Sequence, residues 1–188
     1  VTHALMAVFP LLTVLLSRLF LGEEITRIKV VAVGVGFLGV TIIINPINLE
    51  FSLVSVLPLI SAVTFAIYAV LTRKVASTDN TETSFFWVSL VSAIAITIPS
   101  PLFYKPIQLS DLYFLILLCT FSLIGHFLLT NAYRHAEASV LQPFSYFHLF
   151  FASIVGIIFF QDPLTISTVA GSGLIVFGGI LISRNSKM

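Results

Sequence analysis

Two histidines, His126 and His148, are the ionisable side chains that lie deepest within the long apolar stretches of this 188-residue sequence. They lie eight residues before Arg134 and nine residues after Ser139, which is about 12 to 14 Å along a helix. Tyr146 adds a hydroxyl group to the same stretch as His148. Because an imidazole in apolar surroundings can bind a polar ligand or carry a proton, we expect these three side chains to form a polar layer that binds a small substrate.

Other side chains are weaker candidates, and each candidate has a structural alternative. Tyr68 and Thr64 lie one helical turn apart and would extend the site. Trp87 lies near the end of its apolar stretch, where anchoring at a membrane surface competes with substrate binding. Gln142 fits a capping box that starts at Ser139. For the histidines, the alternative is a hydrogen bond to a neighbouring helix, worth about 1 kcal/mol.

The composition places the chain in a lipid bilayer. Hydrophobic residues make up 58% of the sequence and charged residues only 9%, with a mean hydropathy of +1.10, whereas soluble domains carry about 25% charged residues. A formal charge of +1 without a basic run excludes nucleic-acid binding. Cys119 is the only cysteine, and no Cys/His spacing matches a zinc site, so neither a metal nor another cofactor is expected.

Seven apolar segments are long enough to cross about 30 Å of hydrocarbon as helices. Their continuous apolarity, without the alternation of barrel strands, predicts an all-α integral membrane fold. The segments are 4–21, 28–45, 53–71, 84–104, 112–133, 139–160 and 166–183.

Positive charges are distributed unequally between the connectors. When the connectors are placed alternately on two sides, one side receives eight lysines and arginines and the other receives only Lys105. Since positively charged flanks stay in the cytoplasm, we expect Met188 in the cytoplasm and Lys105 outside the cell membrane. Glu23 and Glu24 in the connector 22–29 lie beside Arg27 and Lys29. Solvated ion pairs are expected there, with a gating role as the alternative.

The first two and the last two segments resemble each other when the chain is shifted by 139 residues. The shift aligns the acidic turn 22–26 with 161–165. Three segments separate the copies, so the repeating unit has five helices and neighbouring units have inverted orientations. The sequence therefore predicts a ten-helix fold in which 1–45 are the last two helices of the first repeat and 53–188 are the complete second repeat. Three helices that precede residue 1 are expected to be absent.

Gly34, Gly36 and Gly39 match the G-x-G-x-x-G pattern of dinucleotide-binding loops. The pattern lies inside an apolar segment, without a preceding strand or the acidic residue that binds ribose. We interpret it instead as close helix packing, which the repeat extends to the last segment. The predicted packing residues are Ala32, Gly36, Gly39, Gly173 and Gly178.

Four passages of the sequence resemble the EamA branch of the drug/metabolite transporter superfamily. They are Pro10 with 19–24, Gly34 to Val40, Gly125 to Arg134 with Ala138-Ser139, and Pro143 to Tyr146. The resemblance covers essentially the whole chain and implies two inverted five-helix repeats, of which this chain would hold the fourth to tenth helices. The turn Gln161-Asp162-Pro163 departs from the Gly-Glu of the family pattern.

The inverted repeat and the polar layer favour a secondary transporter of small organic metabolites, such as amino acids or related compounds, that works by alternating access. Proton coupling and facilitated exchange both stay open, as does the pairing of two chains in a homodimer. The alternative is a seven-helix receptor or membrane interaction protein, although the last segment has no lysine for a retinal Schiff base. No hydrolase or metalloprotease motif lies in the segments, so enzyme activity is not expected.

Overall fold

The computed structural model describes residues 5–45, 56–103 and 105–185. All regular secondary structure in these ranges is helical, as the sequence predicts. The helices bounded within them are α1 Phe9–Leu21, α2 Arg27–Ile44, α3 Val56–Val75, α4 Thr81–Thr97, α5 Leu112–His135, α6 Ala138–Ser145, α7 Phe147–Phe160 and α8 Ile166–Asn185. Short 3-10 helices at Ser100–Phe103 and Leu109–Asp111 lie between α4 and α5.

Six helical stretches among the described residues are long and apolar enough to cross a membrane. They are Arg27–Ile44, Val56–Val75, Thr81–Leu102, Leu109–His135, Ala138–Phe160 and Ile166–Asn185. Helix α1 is shorter, with 13 residues, and the beginning of its predicted span lies outside the described residues. The chain is therefore a multi-pass membrane protein, as expected from its composition.

The predicted span 139–160 contains a break at Tyr146, which separates α6 from α7. Pro143 lies inside α6, and because proline has no N–H group, the carbonyl of Ser139 loses its helical hydrogen bond. A similar turn at residues 7–8 lies directly before α1, which contains Pro10 at its start. The two breaks are aligned by the shift of 139 residues.

The chain forms two compact units, Val1–Leu71 with Ala136–Met188 and Thr72–His135. In the first unit α2 packs extensively against α8, and the core contains the buried residues Ala7, Val14, Val33, Val40, Tyr146 and Ile175. In the second unit α4 packs against α5. The two compact units are defined by contacts within the structure. The division into 1–45 and 53–188 is a different one, because it is defined by the sequence repeat, and it stays a prediction.

The turns that join α1 to α2 and α7 to α8 share one geometry. Gly22 and Gln161 both adopt the left-handed conformation, with φ of 68° and 56°. Their N–H groups bond to the carbonyls of Ser17 and Gly156, respectively. All of these positions are aligned by the same shift, so the sequence similarity extends to the local backbone. A non-glycine residue destabilises a structure by roughly 1 kcal/mol when it adopts this conformation. Gln161 keeps the conformation of Gly22 despite this cost, which supports a shared turn geometry.

Helices α2 and α8 approach each other at two small-residue contacts. A Cβ atom added to Gly39 would lie 2.5 Å from the carbonyl oxygen of Gly171, and one added to Gly178 would lie 2.8 Å from that of Ala32. The shift aligns Ala32 with Gly171 and Gly39 with Gly178, so each contact is the counterpart of the other. Reciprocal contacts of this kind are characteristic of a two-fold relationship. A Cβ atom at Gly36 would collide with the Tyr146 ring.

Gly173 does not take part in this packing, contrary to the sequence-based expectation. No atom lies within 4 Å of the place where its Cβ would be. The buried face of α8 includes Gly171, Ile175, Gly178 and Ile182, and at 3.6 residues per turn a position two residues after Gly171 points away from that face. Gly171 therefore makes the close contact that Gly173 was expected to make.

Candidate functional site

His126 lies on α5, and its ring is half-buried. It is placed beside Phe85 of α4, with 6.1 Å between the ring centroids. Phe85 also contacts Phe127 edge to face, with 5.5 Å between centroids. The candidate site of this unit is therefore an imidazole within an aromatic cluster.

A polar seam continues from His126 toward the end of α5. Thr130 is buried and donates to the carbonyl of His126 at 2.9 Å, and Thr81 donates to the side-chain oxygen of Asn131 at 3.1 Å. Ser84 is buried and its hydroxyl has no hydrogen-bond partner among the described residues. Sequence reasoning did not propose Thr81, although its spacing of three residues from Ser84 places the two residues on one face of α4.

Tyr146 and His148 belong to the other unit, and each is already engaged. Tyr146 is 1% exposed, and its hydroxyl donates to the carbonyl of Ala7 at 3.1 Å. His148 is exposed, and its Nδ1 atom bonds to the carbonyl of Ser145 at 2.6 Å. Tyr146 thus joins the two helix breaks, while His148 bonds to its own helix. A layer shared with His126 stays a prediction.

The remaining candidates are dispersed. The Tyr68 ring is half-buried, with its centroid 5.7 Å from that of Phe65. Thr64 is exposed and donates to the carbonyl of Ile60, one turn earlier on α3, at 2.8 Å. Trp87 is 57% exposed, which fits an anchor at the membrane surface. Their participation in substrate binding stays a prediction.

A cleft of about 410 Å³ lies between α7 and α8. Its lining is apolar apart from the hydroxyl groups of Ser153, Thr168 and Ser172, and it includes Gly173. No charged side chain lines it, so it can hold the apolar part of a ligand or a lipid chain but has no group that would bind a charge. Sequence reasoning did not find this cleft, because its hydroxyl groups come from two different helices.

Glu23, in the turn after α1, provides a buried carboxylate, whereas the sequence predicted a solvated one. It accepts hydrogen bonds from the N–H groups of Ala138 at 2.7 Å and Ser139 at 2.9 Å, and from the Ser139 hydroxyl at 2.6 Å. These donors form the beginning of α6, where free N–H groups and the helix dipole favour an anion. The start of α6 is therefore capped by Glu23, from the turn between α1 and α2, and not by the expected capping box. The side chain of Gln142 donates instead to the carbonyl of Ala138.

Lys29 is buried beside this cap and forms an ion pair with Glu137. Its ammonium group also donates to the backbone carbonyl of Glu24 at 2.7 Å. The sequence predicted solvated ion pairs within the connector 22–29. That prediction is wrong for Glu23 and Lys29, because the first caps α6 and the second binds a carboxylate 108 residues away.

The described residues contain no group of three or more His, Cys, Asp or Glu side chains that could hold a metal ion. The polar side chains near His126 are hydroxyl groups and one amide, and the imidazole itself lies beside aromatic rings. Such groups bind organic molecules through hydrogen bonds and stacking.

Residues 53–184 match the model of the EamA-like transporter family. The chain is 31% identical over 180 residues to the pseudopaline exporter of Pseudomonas aeruginosa, covering 95% of this chain and 63% of the exporter. It is 29% identical over 190 residues to a riboflavin transporter of Brucella anthropi, with 98% and 67% covered. It is 26% identical over 179 residues to an S-adenosylmethionine uptake transporter of Rickettsia bellii, with 95% and 61% covered.

The fold is also found in a solved crystal structure, with a TM-score of 0.78 at 17% identity, covering 98% of this chain and 68% of the other. An all-helical membrane protein whose helices α2 and α8 pack through two small-residue contacts is the class that the fold defines. Within that class, the chain belongs to the EamA-like transporter family, which confirms the resemblance carried by the four sequence passages. It spans 63% of the length of the pseudopaline exporter.

Proposed function

We propose that this chain acts in a secondary transporter that moves a small organic metabolite across the cytoplasmic membrane by alternating access. The observation that carries the proposal is the pair of reciprocal contacts between α2 and α8, Gly39 with Gly171 and Ala32 with Gly178. Inverted repeats related in this way are a recurrent basis of alternating access. The ten-helix architecture of two five-helix repeats is part of this proposal.

The proposed substrates are amino acids or related metabolites with polar and apolar parts. The named relatives differ in their cargo, since their names refer to pseudopaline, riboflavin and S-adenosylmethionine, so the class of substrate is inferred from this chain. Among the candidates, His126 is supported best as a substrate contact because its half-buried ring lies in the cluster with Phe85 and Phe127. Tyr68 is the corresponding candidate of the other unit.

The proposed orientation places Met188 in the cytoplasm, in agreement with the excess of positive charge on that side. A proton carried by His126 is one route to energy coupling, and facilitated exchange is the other. Both routes are compatible with a single imidazole in an otherwise neutral seam.

Mass spectrometry of cells that produce the protein tests the proposal. We expect one or a few amino-acid-like metabolites to change in concentration between cells and medium, compared with cells that produce the His126→Ala variant at equal membrane levels. His135→Ala is the matched control, because this histidine lies on the same helix but is exposed near its end. Identical metabolite profiles for the unaltered protein and for cells without it would contradict transport.

A further inference from the structure

The Glu23 and Lys29 contacts join the two parts of the chain that the repeat relates. Glu23 follows α1 and Lys29 lies in the first turn of α2, whereas Ser139 and Glu137 lie at the start of α6. Glu23 is 9% exposed and Lys29 6% exposed. A carboxylate with three donors and a buried ammonium with a carboxylate are charge-assisted contacts, which are the strong ones in proteins.

Alternating access requires the two related parts to separate at one end while they approach at the other. A contact that joins them at one end must therefore break whenever that end opens. The contacts lie at the end that carries Arg27 and Lys29, which the distribution of positive charge assigns to the cytoplasm.

The aligned turn 161–165 has a counterpart for the carboxylate of Glu23 but none for the ammonium group of Lys29. The shift of 139 residues aligns Glu23 with Asp162, but it aligns Lys29 with Thr168. A threonine cannot form an ion pair, so the Lys29 ion pair has no counterpart at the aligned position Thr168. An ion pair at one turn and not at the aligned turn favours closure at the Glu23 end.

We infer that Glu23 and Lys29 form a latch, with Ser139 and Glu137 as its partners, that keeps the cytoplasmic end of the pathway closed and opens once in each transport cycle. The inference rests on the proposed function. It assigns Glu23 a positioning role and not a contact with substrate.

The accessibility of a single cysteine tests the latch without any substrate. Ser17 is fully buried, and its carbonyl accepts the Glu23 N–H at 3.4 Å, so Ser17→Cys in a Cys119→Ala background reports on the space beneath the turn. In inside-out membrane vesicles, we expect a maleimide to label this cysteine about tenfold faster after Glu23→Gln or Lys29→Met, as for the loss of one hydrogen bond to a charged group. Glu24→Gln, an exposed neighbour, is the matched control and should leave the rate unchanged.

Exchanging the charges, with Lys29→Glu and Glu137→Lys together, should return the labelling rate toward that of the parent. Unchanged labelling in both Glu23→Gln and Lys29→Met, in protein that elutes as a single folded species, would overturn the latch even if transport is normal. Faster labelling in a chain that moves no metabolite would contradict the proposed function, and with it a role in the transport cycle, while the closure at Glu23 would stand.

Discussion

Gly39 and Gly171 approach each other so closely that a Cβ atom on either residue would lie 2.5 Å from the carbonyl oxygen of the other. The counterpart contact, Gly178 with Ala32, lies further along the same helix pair. In lipid, no hydrophobic force drives helices together, so close packing of small residues carries much of their association. The distance between α2 and α8 is therefore set by four small residues, three of which are glycines.

Gly171→Ala should destabilise the protein, although alanine is the better helix former. The added methyl group would meet the carbonyl of Gly39 at 2.5 Å and the Ile43 side chain at 2.6 Å, and such overpacking costs about 1 to 3 kcal/mol. Gly173→Ala is the control, because nothing lies within 4 Å of its Cβ position and alanine favours a helix by about 1 kcal/mol. Thermal unfolding in detergent, monitored by size-exclusion chromatography of heated samples, should give a lower unfolding temperature for Gly171→Ala only. Equal midpoints for the two variants would contradict the packing account.

The helices could be predicted because apolar length is a property of contiguous sequence. The break at Tyr146 also had a local cause in Pro143, which removes a backbone donor from α6. The cap of α6 had no local cause, since Glu23 lies 115 residues before Ala138 in the sequence. A carboxylate next to a lysine and an arginine fits a solvated turn equally well, and only the fold brings a helix N-terminus to it.

The same limit applies to the candidate site. His126 could be proposed because an imidazole within an apolar helix is unusual. Tyr146 looked equivalent by depth, but its hydroxyl donates to the carbonyl of Ala7, in the turn before α1. Thr81 was not proposed because a threonine at a helix start has an ordinary local use, and its bond to Asn131 depends on how α4 packs on α5.

Arg73→Ala should loosen the end of α5. The Arg73 guanidinium donates to the carbonyls of Tyr133 at 2.8 Å and Arg134 at 2.9 Å, which lie in the last turn of α5. Losing these bonds should cost about 1 to 2 kcal/mol locally. Amide hydrogen exchange of residues 130–135 should become faster by about an order of magnitude. Lys74→Ala, which removes an exposed positive charge next to it, should leave the exchange unchanged, and an equal effect of both variants would point to charge alone.

The positions of the connectors give a prediction about topology. In a Cys119→Ala background, Asp79→Cys should react with an impermeant maleimide only from the cytoplasmic side, and Lys105→Cys only from the outside. The reason is the excess of lysines and arginines on the Asp79 side. Labelling of intact cells before and after permeabilisation measures this directly. The reverse pattern would overturn the orientation and would move the proposed latch to the outer end of the pathway.

His126→Gln should abolish transport while preserving the fold. Glutamine keeps a hydrogen-bonding side chain but has neither the aromatic face that lies beside Phe85 nor a group that takes up a proton near neutral pH. If the imidazole contacts substrate, uptake of the metabolite identified in cells should fall to background, with membrane levels and thermal stability unchanged. Phe85→Leu separates stacking from proton transfer, because it removes the neighbouring ring and leaves the imidazole. If Phe85→Leu lowers the affinity for substrate but keeps the maximal rate, the aromatic cluster contributes to substrate binding. Normal uptake by His126→Gln would contradict a role of His126 in the site.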